Sequence, residues 1–227
     1  KTQRSPFIKT RISRCFFGPI KRPPMNRDEL LDAVDYYPNE YLNRLAHDGV
    51  NALWLTVELK DLRKTSLNIA VSPEREQRLE KLRKTVAKCR RYGIDVFIFT
   101  LEPIYMTPGD PLILAYPELG GITVTGNYAK TFCPISDTAQ TYLRESVYSI
   151  FSEVPGLGGL INLSYGEAPT TCLSEAKGTE GRMDCPRCAD KKPWETLNAS
   201  LSAMEQGMHE AAPVAKFISW LYVPDEI

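Results

Sequence analysis

The sequence predicts an α/β fold, a parallel (β/α) barrel of TIM type, and three observations carry this prediction. Apolar runs typical of buried strands alternate with amphipathic helical segments four times, and one more strand follows. No Gly-x-Gly-x-x-Gly turn or phosphate loop follows the first strand, which disfavours a nucleotide-binding doubly wound sheet. Several strands end in a carboxylate or an aromatic residue, which suits a barrel better. A complete barrel has eight strands. We count five here, so we predict an incomplete barrel.

The predicted strands are uncharged or alternating apolar runs bounded by turn residues. They span 11–17, 50–57, 94–101 and 215–222, with a further run that begins at Gly158. We divide the 227 residues into an irregular N-terminal segment, 1–10, and the N-terminal part of the barrel, 11–227. The second unit contains a cysteine-bearing loop at 168–193.

Helices are predicted between these strands from 3.6-residue periodicity and from their end signals. They span 36–47, 137–153 and 194–208, and another begins with a capping Ser72, Pro73 and Glu74 and ends at Gly93. The stretch 105–131 is rich in proline and glycine, and we predict an irregular excursion there.

The composition excludes several classes of partner. Lys plus Arg and Asp plus Glu both total 28, so charge gives no reason to expect nucleic acid or an anionic membrane. No apolar run approaches the roughly 20 residues that span a bilayer. The Cys-x-x-Cys loop and the lack of a visible signal peptide favour a cytoplasmic location. Five strands would leave an exposed sheet edge, so we expect an oligomer or aggregation of the chain expressed alone.

Carboxylates follow three of the predicted strands. Glu167 comes directly after the run from Gly158, between Tyr-Gly and Ala-Pro, while Glu58 and Glu102 end the second and third strands. The carboxyl ends of parallel strands carry the chemistry of barrel enzymes. Hydrolysis of a glycosidic bond needs an acid and a second carboxylate or nucleophile. Glu167 is the first candidate for the acid; the alternative is that these carboxylates are solvated loop residues or helix caps.

Aromatic residues near the same edge are candidates for platforms on which a sugar face stacks. These are Trp220 and Tyr222 on the last strand, with Tyr105 or Tyr165. Core packing is the alternative for all of them, and we expect it for Trp54.

Three cysteines form a separate group, Cys172, Cys185 and Cys188, in which Cys185-Pro-Arg-Cys188 is a common zinc half-site. A closed tetrahedral site needs a fourth ligand, and Cys133 is the best candidate because it reaches the same rim. A structural zinc site, a disulfide and free thiols all remain open.

With Glu167 in this position, the chain resembles the glycoside hydrolases related to family 20, the β-hexosaminidase-like barrels. Within that group it is similar to uncharacterised bacterial proteins. The resemblance covers about Arg11 to Tyr222 and rests on three segments. They are Asp32–Pro38, Tyr41–Trp54 and Cys185–Cys188.

The resemblance implies removal of a terminal sugar, with Glu167 as general acid and no cofactor in catalysis. Family 20 enzymes place an Asp before this Glu to orient the substrate's acetamido group. Here Gly166 stands in its place, so that mechanism is not expected. Arg11, or otherwise Arg14, matches the arginine that grips the terminal sugar. We therefore expect a glycosidase, or alternatively a non-catalytic carbohydrate-binding barrel with a structural zinc loop.

Overall fold

A computed structural model describes residues 6–14, 27–124, 129–166, 169–175 and 184–221. Within these ranges five strands form one parallel sheet in the order β1-β2-β3-β6-β7, and β4 and β5 form an antiparallel pair. The bounds are β1 Ile12–Arg14, β2 Ala52–Thr56, β3 Asp95–Thr100, β4 Gly120–Val124, β5 Ala129–Phe132, β6 Leu157–Tyr165 and β7 Lys216–Leu221. The parallel sheet is a half-barrel, as the strand and helix order predicts.

Helices connect the strands of this sheet. Their bounds are α1 Asn39–His47, α2 Leu59–Leu62, α3 Arg75–Arg90, α4 Pro111–Ala115, α5 Asp137–Glu153 and α6 Pro193–Ala211. The prediction for 137–153 is confirmed to the residue, and Ser136 caps that helix by accepting from the Ala139 N–H. None of the helices in the described ranges is long and apolar enough to cross a bilayer.

The two faces of the sheet contact different surroundings. One face, with Leu53, Ile98 and Leu160, packs against the helices in the main core. The other, which we call the inner face, carries Ala52, Phe97 and a set of partly buried aromatic and aliphatic residues. Both faces are apolar, which explains why these strands are continuous apolar runs in the sequence.

The start of α3 differs from the prediction. The sequence places the cap at Ser72, whereas the helix begins at Arg75, after Glu74. The Ser72 hydroxyl instead accepts a hydrogen bond from Arg78 Nη1 at 3.0 Å, so it does not cap the helix. The helix ends at Arg90, and Gly93 lies in the following turn, where it adopts φ 68°, a left-handed conformation that favours glycine.

The predicted irregular excursion at 105–131 is wrong in its central part. It holds α4, which the Asp110 side chain caps by accepting from the Leu112 N–H at 2.8 Å, and most of the β4–β5 pair. Short strands with glycines lack the apolar alternation that marks a strand in a sequence. Gly121 is required in β4, since a Cβ there would overlap Cys172 Sγ and Thr131.

Candidate functional site

The carboxyl edge of the sheet brings together residues that follow β2, β3 and β6. Glu58 immediately precedes α2 and pairs with Lys60, Nζ to Oε2 at 2.7 Å, and its side chain is 35% exposed. Glu102 follows β3 and is only 5% exposed. Two of the three predicted carboxylates therefore stand at one edge, as the sequence predicts.

The Glu102 carboxylate links the segments that follow β2 and β3. Its Oε1 accepts from the Leu59 N–H at 3.0 Å, and its Oε2 accepts from the Ile104 N–H at 3.1 Å. Burial raises the pKa of Glu102 from 4.5 to about 7, although the two backbone N–H groups oppose the shift. Such a group exchanges a proton near neutral pH, which is the property a general acid or base needs.

A buried asparagine that sequence reasoning missed fixes the position of Glu102. Asn162 on β6 accepts from the Thr100 hydroxyl at 2.7 Å and from the Glu102 N–H at 3.1 Å. Its amide donates to the Glu102 carbonyl at 2.7 Å and to Ser164 Oγ at 2.8 Å. A polar residue inside the apolar run of β6 is the one signal that could have indicated this role.

Two predicted site residues, Glu167 and Tyr222, lie outside the described residues. Gly166, the residue before Glu167, is described and directly follows the last residue of β6.

An aromatic cluster lies on the inner face towards the carboxyl ends of the strands. Trp220 stacks on Trp54 with ring centroids 5.7 Å apart, and Phe99 lies 4.7 Å from Trp54 and 6.0 Å from Trp220. Trp220 is 40% exposed, so one predicted platform is accessible. Trp54, predicted to be a core residue, is a half-buried member of this cluster.

Tyr165 and Arg11 do not join the other predicted residues. Tyr165 is buried in a small core with Leu173 and Leu197, so it offers no open face for stacking. Arg11 precedes β1 at the amino edge of the sheet, where its guanidinium donates to the carbonyls of Gly49 and Ile8. A residue at the amino edge is separated by the length of the strands from the carboxyl-edge groups, so the structure does not bring Arg11 together with them.

The four predicted cysteines form one cluster. The Sγ atoms of Cys133, Cys172, Cys185 and Cys188 all lie within 4.8 Å of one another, and all four residues are fully buried. Cys133 follows β5, Cys172 opens a short 3₁₀ turn, and the other two precede α6. The cluster therefore joins the long segment after β3 to the loop after β6.

The sulfur spacing in this cluster differs from that of a disulfide. Cys133 Sγ lies 3.6 Å from Cys188 Sγ and 3.7 Å from Cys185 Sγ, whereas a disulfide needs about 2.05 Å. Four thiolates bound to Zn²⁺ at about 2.3 Å lie about 3.8 Å apart in a tetrahedron, close to these separations. Hydrogen bonds from Cys172, Cys188 and Arg187 lower the pKa of Cys133, and Arg187 Nε donates to its Sγ at 3.3 Å.

No protein-family model matches this chain, and no curated protein sequence matches it. Solved structures match at the level of the fold. The chain is similar to an α-galactosidase from Lactobacillus brevis, with TM-score 0.56 and 10% identity over 94% of this chain and 27% of that one.

It is also similar to the GH36 α-galactosidase AgaA from Geobacillus stearothermophilus, with TM-score 0.54 and 10% identity over 94% of this chain and 28% of that one. A variant of that enzyme in complex with stachyose gives TM-score 0.51 and 12% identity over 80% of this chain and 25% of the other. The chain thus spans about a quarter of the length of these structures. Its half-barrel matches part of the TIM barrels of glycosidases.

Proposed function

We propose that this chain is part of a glycoside hydrolase that removes a terminal sugar from an oligosaccharide or glycan, with Glu167 as the general acid. The observation that carries the proposal is the parallel half-barrel in which β6 ends at Tyr165, two residues before Glu167 in the sequence. Its match to part of glycosidase barrels supports this assignment of class.

The second carboxylate of the reaction is proposed to be Glu102 or Glu58. The raised pKa of Glu102 favours a role in proton transfer. Glu58 is more exposed and pairs with Lys60, which favours a role as a negatively charged carboxylate. A residue of another strand in the intact protein remains a third source of this group.

Recognition of the sugar is proposed to rest on the aromatic cluster of the inner face. Trp220 would stack on the apolar face of the terminal sugar, and Trp54 would hold the Trp220 ring in place. Tyr222 follows Trp220 by two residues in the sequence and is proposed as a second stacking residue. Arg14, in β1, is the other candidate to grip the sugar hydroxyls.

A simple hexose fits the proposal better than an N-acetylhexosamine. The acetamido mechanism of family 20 needs an Asp at the position that Gly166 occupies. The solved structures that this chain is similar to are α-galactosidases, and they lend no support to hexosaminidase specificity.

The four-cysteine cluster is proposed to bind a structural zinc ion. Four buried sulfurs at a spacing close to that of a ZnS₄ site suit a closed site without an open position for substrate. The ion would stabilise the segments that carry Cys133, Cys172 and the Cys185–Cys188 knuckle. It would take no part in the hydrolysis.

The experiment that tests the function is a screen of the intact protein and its Glu167→Gln variant against nitrophenyl hexosides and N-acetylhexosaminides. Glu205→Gln, which changes an exposed residue of α6, is the matched control. We expect hydrolysis of a hexoside that Glu167→Gln lowers at least a hundredfold and that Glu205→Gln leaves unchanged. Hydrolysis that is unchanged in Glu167→Gln would refute the role of Glu167.

The second candidate is a non-catalytic carbohydrate-binding barrel with a structural zinc loop, and the absence of the family's Asp at Gly166 favours it. Sugar binding by wild type and Glu167→Gln alike, with no hydrolysis by either, is the result that this candidate predicts.

A further inference from the structure

A cavity of about 500 Å³ lies between the segments that follow β2 and β3. Its polar lining includes Arg63, Asn68, Glu102 and Asp110, and its apolar lining includes Met106 and Leu112. Pockets of roughly 300–1,000 Å³ with a few convergent polar groups are typical of small-molecule sites.

This cavity is separate from the aromatic cluster of the inner face. Three of its walls, Leu112, Phe132 and Tyr142, belong to the core on the helix side of the sheet. Trp54 and Phe99 belong to the cluster on the other face. A ligand in the cavity would therefore occupy a place beside the barrel mouth and not the proposed stacking surface.

Arg63 is the residue of the cavity that points to a ligand. It is only 7% exposed, and its guanidinium lies over the Tyr142 ring at 5.4 Å. Nη1 donates to the Ala70 carbonyl at 3.3 Å, but Nε has no hydrogen-bond partner among the described residues. Nor does any described acidic side chain form an ion pair with it. A buried cation without an anionic partner is costly, and a bound carboxylate would offset that cost.

The acidic residues of the cavity indicate a second property of the ligand. Each Glu102 oxygen accepts one backbone N–H, and Asp110 Oδ1 accepts one from Leu112, so both carboxylates keep lone pairs for further donors. These acceptors suit hydroxyl groups of a ligand. Ile104 and the 40% exposed Tyr105 provide apolar surface beside them. An anionic group, several hydroxyls and one apolar face are combined in a sugar acid.

We propose that this cavity binds a sugar acid, with its carboxylate on the Arg63 guanidinium and its hydroxyls on Glu102 and Asp110. The proposal concerns binding, so it does not depend on hydrolysis or on Glu167. It assigns Glu102 to this cavity, which leaves Glu58 as the described carboxylate for the proposed hydrolysis.

Calorimetric titration of the purified chain with glucuronate, galacturonate, glucose, galactose and cyclohexanecarboxylate tests the proposal. We expect at least one uronate to bind with a Kd at least tenfold lower than that of its neutral hexose and that of the hydroxyl-free ring acid. Arg63→Met should abolish this preference without lowering Tm, because it removes an unpaired buried cation. Arg91→Met, at an exposed arginine after α3, should keep the preference.

Three results would overturn the proposal. They are no uronate binding up to millimolar concentration, equal binding of the uronate and the neutral hexose or the ring acid, and a preference that survives Arg63→Met. If Arg63→Met does not fold, the ligand series on the wild type still decides the ligand class. Arg63→Lys, which keeps the charge but loses Nε, should then weaken uronate binding, and unchanged binding would contradict the role of Nε.

Discussion

The carboxylate of Glu102, after β3, accepts a hydrogen bond at 3.0 Å from the backbone N–H of Leu59, the first residue of α2. This bond ties the segments that follow two neighbouring strands, and it holds an ionisable group in a buried position. The stability of the fold should therefore depend on the protonation of this one side chain.

The first prediction concerns pH. Because the pKa of folded Glu102 is about 7 and its ordinary value is 4.5, the folded chain binds more protons than the unfolded chain between these values. The free energy of unfolding should fall as pH rises through this window. The total fall should be about 3 kcal/mol, the difference that the raised pKa of Glu102 implies. Urea unfolding at pH 5 and pH 8 measures this change.

The Glu102→Gln side chain cannot ionise. The change in the free energy of unfolding between pH 5 and pH 8 should therefore be smaller in this variant than in wild type, by about 3 kcal/mol. The exposed Glu205→Gln is the control and should follow wild type. Parallel pH profiles for wild type and Glu102→Gln would contradict the assignment.

The sequence predicts the parallel sheet well and the antiparallel pair poorly, for a physical reason. Strands such as β3 are buried on both faces and must be apolar along their length, so the pattern is local and visible. Strand β4 begins with Gly120 and Gly121, and Gly121 is set by its contact with Cys172, far away in the sequence. A contact between residues so far apart in the sequence produces no periodic pattern from which the strand could be predicted.

The sequence also predicts part of the candidate site and misses the rest. Position after a strand identifies Glu58 and Glu102, and the spacing of Cys185 and Cys188 leads to the four-cysteine cluster. The cavity at Arg63 is not predictable, because its lining comes from several segments with no shared motif. The placement of Arg11 at the amino edge follows from its position directly before β1, which begins at Ile12.

The second prediction concerns the metal. The purified chain should contain one zinc ion, and Cys185→Ser combined with Cys188→Ser should abolish it and lower Tm, because binding to a folded site stabilises the fold. Cys89→Ser, at a buried cysteine of α3 outside the cluster, should keep the zinc. Elemental analysis measures the zinc content of each variant, intact mass measures the oxidation state of its cysteines, and thermal unfolding measures its Tm. A zinc-free wild type with a mass lower by the hydrogens of a disulfide would contradict the site.

The third prediction concerns the contact between α5 and α6. A Cβ at Gly207 would overlap the Arg144 carbonyl, so Gly207→Ala must push the two helices apart. We expect a loss of about 1–3 kcal/mol in the free energy of unfolding, as for other overpacked sites. Gly109→Ala, at a position with open space around the glycine, should have little effect in the same urea titration. Equal stability of the two variants would show that the helices are farther apart.

The fourth prediction concerns the aromatic cluster. Trp220→Ala should raise the Kd for the terminal sugar about tenfold, or 1.4 kcal/mol, because the stacking surface is lost. Trp220→Phe should retain part of the affinity. Trp194→Ala, at a 59% exposed tryptophan in α6, is the control. Unchanged affinity in Trp220→Ala, measured by calorimetry, would remove the cluster from the proposed site.

The role of Glu167 as general acid is tested most directly by leaving-group dependence. Rates of hydrolysis of dinitrophenyl and alkyl glycosides of the same sugar should be compared in the intact wild-type protein and in Glu167→Gln. A dinitrophenolate departs without protonation and an alkoxide does not, so a missing acid should slow the alkyl glycoside far more. We expect kcat/KM of Glu167→Gln to fall at least a hundredfold for the alkyl glycoside and less than tenfold for the dinitrophenyl glycoside. An equal loss for both substrates, or no loss for either, would contradict the role of Glu167.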